Sequence, residues 1–139
     1  MPNFVIASKI PDYRSAEISV VEIDGLKCKT LDLFFKQIAD ELKFPEYFGH
    51  NLDAFDEMIN DLTWLEPEAV IIIIRNFSHF LEKEESDEED IKGLILSLLD
   101  QAADEQKQGK EGTPIKIIIE KESDLIDYLE ENGLEYIKN

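Results

Sequence analysis

Residues 69–74 form an unbroken apolar run, Ala-Val-Ile-Ile-Ile-Ile, in which every residue after the alanine is β-branched. β-branched side chains favour extended backbone, so the run predicts a strand. Because this strand is apolar on both sides, both sides must be covered, which is typical of a central position in a parallel sheet. The run is far too short to span a bilayer.

Helical periodicity precedes the central strand. After a strand predicted over Ile18–Ile23, a first helix is capped by Thr30 or Asp32 and runs to about Lys43. A second helix begins at the cap residue Asn51, and its apolar stripe recurs at three- and four-residue spacing. The stripe residues are Leu52, Phe55, Ile59 and Leu62.

A second set of elements follows the central strand. Apolar spacing from Ile91 predicts a long helix, and Ile115–Ile119 predicts a third strand. Ser123 is the predicted cap of a short last helix, which Asn132-Gly133 ends. Residues 134–137 fit either a further helical turn or an edge strand. The fold class expected is α/β, with a small parallel sheet of about three strands and helices on its faces.

Composition narrows the class of partner. A length of 139 residues suits one domain with a real core. Its 32 acids and 14 bases give a net charge of −18, which disfavours nucleic acid and anionic membranes and favours fast capture of a basic protein. Cys28 is the only cysteine, so no intrachain disulfide can form. With no basic, apolar leader after Met1, we expect a cytoplasmic protein.

A run of charge covers residues 82–90, Glu-Lys-Glu-Glu-Ser-Asp-Glu-Glu-Asp, and contains no apolar residue. Such a run predicts a solvated loop whose acids face bulk water. A second patch for binding a partner is the alternative interpretation of the same residues.

The segment from Phe44 to Glu57 joins a rigid turn to an acidic helix face. Pro45 fixes its own φ and ends the preceding helix, and Gly49 allows a tight bend or one with positive φ. Opposite the apolar stripe of the second helix lie Asp53, Asp56, Glu57 and Asn60. An exposed aromatic residue, a bend and a row of carboxylates together predict a surface that binds something cationic.

This segment closely resembles the barstar family, the intracellular inhibitors of barnase-like ribonucleases. The family opens its second helix with Pro-Glu-Tyr-aromatic-Gly-x-Asn-Leu-Asp-Ala, and here the run is Pro45-Glu46-Tyr47-Phe48-Gly49-His50-Asn51-Leu52-Asp53-Ala54. Weaker similarity extends over about residues 20–120. The segments on either side, 1–19 and 121–139, are additions to the expected barstar-like domain.

The resemblance implies the residues that bind the partner. In such inhibitors, acids of the second helix enter the active-site cleft of the ribonuclease and occupy the place of the substrate phosphate, and no cofactor is needed. Asp53 matches an interface aspartate, and Glu57 falls where the family has its dominant interface aspartate. The other residues expected to bind the partner lie in the loop and on the same face of the helix, and they are Tyr47, Gly49, His50, Asn51, Asp56 and Asn60.

Three departures bear on the partner. Glu57 is one methylene longer than aspartate, and Asp56 falls where the family often has an aromatic residue. A third family contact, a glutamate on the helix before the last strand, has Asp100 or Gln101 as its nearest counterpart, and we take Asp100. The partner implied is a basic extracellular-type ribonuclease or related toxin whose cleft is more basic or wider than that of barnase.

Other classes of function fit the sequence less well. A hard cation could bind Asp53, Asp56, Glu57 and His50, but the segment does not resemble a calcium loop. No nucleophile elbow, phosphate-binding glycine loop or zinc-protease motif is present, so we do not expect an enzyme. The remaining alternative is an interaction module of the same fold that binds a basic partner other than a nuclease.

Overall fold

A parallel sheet organises the protein. The computed structural model describes residues 2–65, 69–84, 86, 89–108 and 112–139, and within them five strands pair in the order β2-β3-β4-β1-β5. The strands are β1 (Phe4–Ala7), β2 (Ile18–Asp24), β3 (Ala69–Arg75), β4 (Ile115–Glu120) and β5 (Tyr136–Lys138). The expectation of about three strands is therefore wrong, because β1 and β5 extend the sheet beyond β4.

The interior position of β3 is confirmed. It pairs with β2 on one side and β4 on the other, which places Ile72 between Val21 and Ile117. All three side chains are fully buried. Ile71, on the opposite side of the same strand, is only partly buried.

Within the described residues four α-helices lie between the strands: α1 (Leu31–Glu41), α2 (Leu52–Asp61), α3 (Ile91–Gln108) and α4 (Leu125–Glu131). Their buried residues join those of one side of the sheet in a single core. The other side carries a smaller cluster, which Ile10 and Tyr13 of the β1–β2 connection cover in part. Helices were expected on both faces, but in the described part of the chain they pack on one. None of these helices is long and apolar enough to cross a membrane.

Side chains define the helix ends. Thr30, not Asp32, caps α1, and its hydroxyl accepts from the Leu33 amide at 3.2 Å. A second acceptor comes from far along the chain, since the Glu84 carboxylate accepts from the Leu31 amide at 2.8 Å. The cap predicted at Ser123 is wrong. Helix α4 instead starts after Asp124, which has φ 68° and makes no side-chain cap.

The acidic run 82–90 is not simply a solvated loop. Glu82 accepts from His79 at 3.0 Å and pairs with Lys29 at 3.3 Å. The hydrogen bond with His79 is the main cause that lowers the pKa of Glu82. Asp90 accepts from the Tyr128 hydroxyl at 2.8 Å. The prediction is therefore wrong at Glu82 and Glu84, which are only partly exposed, whereas Asp90 is exposed as predicted. Residues 85 and 87–88 of the run lie outside the described residues.

Candidate functional site

The loop between α1 and α2 rests on buried phenylalanine and presents its tyrosine to solvent. Phe48 is buried and packs edge-on against Phe35 and Phe44, with ring centroids 5.7 and 5.1 Å apart. Its amide donates to the Pro45 carbonyl at 3.0 Å, which closes the turn. Tyr47 is 74% exposed. The loop thus holds one large aromatic side chain outward on a packed base.

Of the two kinds of bend predicted at Gly49, the one with positive φ is not formed there. The residue with positive φ is His50, at 50°, and not Gly49. Glycine is nevertheless suited to position 49, because a Cβ there would lie 3.1 Å from the Asn51 side-chain nitrogen. Asn51 caps α2 as predicted, accepting from the Ala54 amide at 2.8 Å. The His50 ring lies 3.6 Å from a carboxylate oxygen of Asp32 on α1.

Four of the five polar residues of α2 form two pairs, each spaced four residues apart. Asp53 and Glu57 are exposed, whereas Asp56 and Asn60 are partly buried and turn toward α3. The helix is held by its other side, where Phe55 and Ile59 are fully buried. Among the described residues, no ion pair within the chain involves Asp53, Asp56 or Glu57. Their carboxylates are therefore available to cationic groups of a partner.

A groove between α2 and α3 extends this surface. Its volume is about 420 Å³, and Asp56, Asn60, Gln101 and Glu105 are among the residues that line it. The Asn60 amide nitrogen donates to the Asp56 carboxylate at 2.9 Å and to its carbonyl at 2.7 Å. Within the described chain the Asn60 side-chain oxygen is buried and has no hydrogen-bond partner. Gln106 ties the two helices together by donating to the Asn60 carbonyl at 3.0 Å.

Asp100 is placed apart from this groove. Its carboxylate accepts from the Asn3 side chain at 2.8 Å, and Asn3 also donates to Asp104 at 2.9 Å. The neighbouring Gln101 lines the groove instead. The structure therefore places Asp56 and Asn60 of α2 beside Gln101 and Glu105 of α3 and ties Asp100 to the residue before β1.

Sequence reasoning weighed Gln101 against Asp100 and took Asp100, and it missed Glu105. Gln101 and Glu105 are exposed on α3 and are spaced four residues apart, so they share one side of the helix. The helical period could have paired them. Which side of α3 meets α2 depends on how the two helices pack, and a single sequence does not reveal that.

The acidic surface, defined here as Tyr47, Asp53, Asp56, Glu57 and Glu105, carries four carboxylates and one exposed aromatic side chain. Ionised carboxylates form their strongest hydrogen bonds with arginine and lysine. No group of three or more histidine, cysteine, aspartate or glutamate side chains in the described part of the chain could hold a metal ion.

Comparison with known families agrees with this chemistry. The sequence model of one family, described as Barstar (barnase inhibitor), matches residues 18–120, which contain the loop, α2 and α3. The chain belongs to the barstar family, a family of inhibitors and not of catalysts. Strands β1 and β5 and helix α4 lie outside the matched residues. No curated protein matches the chain.

Proposed function

We propose that this protein inhibits a basic, barnase-like ribonuclease by covering its active site with the acidic surface. The observation that carries the proposal is the exposed pair Asp53 and Glu57, one turn apart on a helix anchored by its buried side. Both residues lie in the segment matched by the inhibitor family. Inhibition of this kind requires no cofactor.

The physical basis is charge pairing in a cleft from which water is excluded. A nuclease cleft concentrates positive charge to bind phosphate, and carboxylates can pair with the same cations. Such pairs are strong only when the geometry is held beforehand, because each ordered side chain otherwise costs entropy. The cap at Asn51 and the buried base of α2 supply that order.

The groove between α2 and α3 bears on which enzyme is bound. Asp56 places a carboxylate where the family often has an aromatic residue, and Glu105 adds another on the facing helix. A lysine or arginine of the partner could enter between them. We therefore infer a partner with an additional basic side chain beside its active site.

We also propose that the chain is one domain that works in the cytoplasm. Its only cysteine, Cys28, is buried and unpaired. Burial raises the pKa of the Cys28 thiol to about 11. A protonated thiol is a poor nucleophile, so this residue supports packing and not redox chemistry.

The test combines enzyme inhibition with calorimetry against purified barnase-like ribonucleases. Asp53→Ala and Glu57→Ala should each weaken binding by about 2 kcal/mol or more, the hot-spot range for which the barnase–barstar pair is itself a reference case. Asp127→Ala, on α4, is the matched control because it removes one exposed acid outside the acidic surface. Unfolding free energies of all three variants should change little.

Salt dependence provides a second measurement. Association should slow steeply as salt rises, because screening removes the attraction between an acidic inhibitor and a basic enzyme. Absence of inhibition toward every ribonuclease tested at low salt would contradict the proposal. Binding to a basic protein that is not a nuclease, through the same residues, would then favour the interaction-module alternative.

A further inference from the structure

Few large apolar side chains are exposed in the described part of the chain. They are Leu26, Leu33, Tyr47 and Leu94, with exposed fractions of 49%, 45%, 74% and 42%. Tyr47 belongs to the acidic surface, and Leu94 lies on α3, the helix that also carries Glu105 of that surface. A single exposed leucine is common on protein surfaces. The meaning of Leu94 therefore depends on the residues that share its side of α3.

Leu94 shares its side of α3 with residues of the groove. The sequence places Leu94, Leu98, Gln101 and Glu105 in one row along the helix, since each follows the one before by three or four residues. Gln101 and Glu105 line the groove against α2. Leu98 is partly buried against the core, whereas Leu94 is exposed. The row is therefore polar in the groove and continues toward the amino end of α3 as a leucine stripe, which consists of Leu98 and Leu94.

The leucine stripe begins level with the first turn of α2. Helices α2 and α3 run in the same direction, because each is followed by a strand of the parallel sheet, β3 and β4. Near their carboxyl ends the two helices are joined by the bond from Gln106 to the Asn60 carbonyl. At 1.5 Å per residue, Asp53 lies about 10 Å before Asn60 along α2, and Leu98 lies about 12 Å before Gln106 along α3. Asp53 and Leu98 are therefore at a similar level, with Leu94 one turn further on.

We propose that the leucine stripe extends the acidic surface as an apolar contact, and that the ribonuclease bound there presents an apolar side chain beside its basic cleft. The inference rests on the proposed function and names a further feature of the partner. Ion pairs that remain in water contribute little to binding. They become strong where neighbouring contacts exclude water. Leu94 and Leu98 supply such a contact on the α3 side of Asp53.

Charge favours the ribonuclease over a second copy of this chain as the occupant of the stripe. The row that holds Leu94 and Leu98 ends in Glu105, and Asp53 and Asp56 lie on the neighbouring helix. Two copies meeting at the stripe would bring these carboxylates toward one another, and each chain carries a net charge of −18. A basic enzyme would instead be attracted to the same acids while it covers the two leucines.

Leu94→Ala tests the proposal in binding kinetics with a barnase-like ribonuclease that the parent chain inhibits. The variant should bind about fivefold more weakly, because only the exposed part of the leucine side chain remains to be buried. The loss should appear as faster dissociation. The association rate and its salt dependence should stay as in the parent, because the substitution changes no charge.

Leu33→Ala is the matched control, since Leu33 is a leucine of similar exposure on another helix. It lies four residues before Gln37 and eight before Glu41, on the side of α1 that borders β2 and away from the acidic surface. This variant should bind the ribonuclease like the parent. Both variants should unfold at the urea midpoint of the parent, because both side chains are exposed.

The outcomes separate this inference from the proposed function. If the parent inhibits the enzyme and Leu94→Ala binds as tightly as Leu33→Ala, the contact at the leucine stripe is wrong and inhibition by the acidic surface stands. If the parent inhibits no ribonuclease at low salt, both proposals are wrong. Sedimentation equilibrium of the parent should show a monomer. A dimer that Leu94→Ala dissociates would assign the stripe to a second copy and overturn the inference.

Discussion

Replacement of Ile72 by alanine is the sharpest test of the core. Ile72 is fully buried at the centre of the sheet, between Val21 and Ile117. The change removes three carbon atoms, which at about 0.8 kcal/mol for each buried methylene accounts for about 2.4 kcal/mol. A residual cavity adds to this cost because neighbouring strands cannot close it fully, so we expect a total loss of about 3–4 kcal/mol.

Denaturant titration of the folded protein measures this loss as a shift in the urea midpoint with an unchanged slope. Ile71→Ala is a matched control in the same strand, since it removes the same atoms from the partly covered side of the sheet. It should cost about half as much or less. If Ile72→Ala costs below about 1 kcal/mol, or no more than Ile71→Ala, then β3 is not interior and the packing described here is wrong.

Three further changes probe caps and charge. Glu84→Ala should destabilise by about 1 kcal/mol, because it removes an acceptor from the first turn of α1, whereas the neighbouring Lys83→Ala should cost less than about 0.5 kcal/mol. Asn51→Ala should cost about 1 kcal/mol and also weaken partner binding, while Asn51→Asp should keep the cap; equal loss in both would exclude a capping role. Burial raises the pKa of Glu41 above its ordinary value of 4.5. A carboxyl whose pKa is raised by folding lowers the stability of the protein as pH rises through that pKa. Glu41→Gln should therefore be more stable than the parent at about pH 7, and this gain should disappear well below pH 4.5. Urea titrations of both proteins at a pH in each range measure the difference.

Elements with a strong local pattern could be predicted from the sequence. The β-branched run predicts β3, and apolar spacing with a cap residue predicts α2 from Asn51. Strand β1 carries no such signal, and at β5 the pattern fits an edge strand and a helical turn equally, of which the structure has the strand. Phe4–Ala7 is four residues long, and Tyr136–Lys138 is three. Their partners in the sheet are distant in sequence, and parallel pairing leaves no hairpin turn to mark it.

The candidate site also has a part that the sequence predicts and a part that it does not. The helical period alone predicts that Asp53 and Glu57 lie on the side of α2 away from the core. The structure confirms that both side chains are exposed, and their contact with a partner stays a prediction. That Asp56 faces Glu105 depends on the packing of α2 against α3. Likewise, the bond from Leu31 to Glu84 joins residues 53 positions apart, so a run of charge could not reveal which acid would cap a helix.

The position of β1 has a consequence for the order in which the protein is completed. This strand pairs with β4 and β5, whose residues are made more than a hundred positions later. During synthesis, which proceeds from the amino end, Phe4–Ala7 must remain unpaired while β2 and β3 can already associate. Contacts of such long sequence separation form slowly. The nascent chain therefore carries an apolar strand that is without partners until the last third of the protein has emerged, and this interval is when a chaperone would have most to protect.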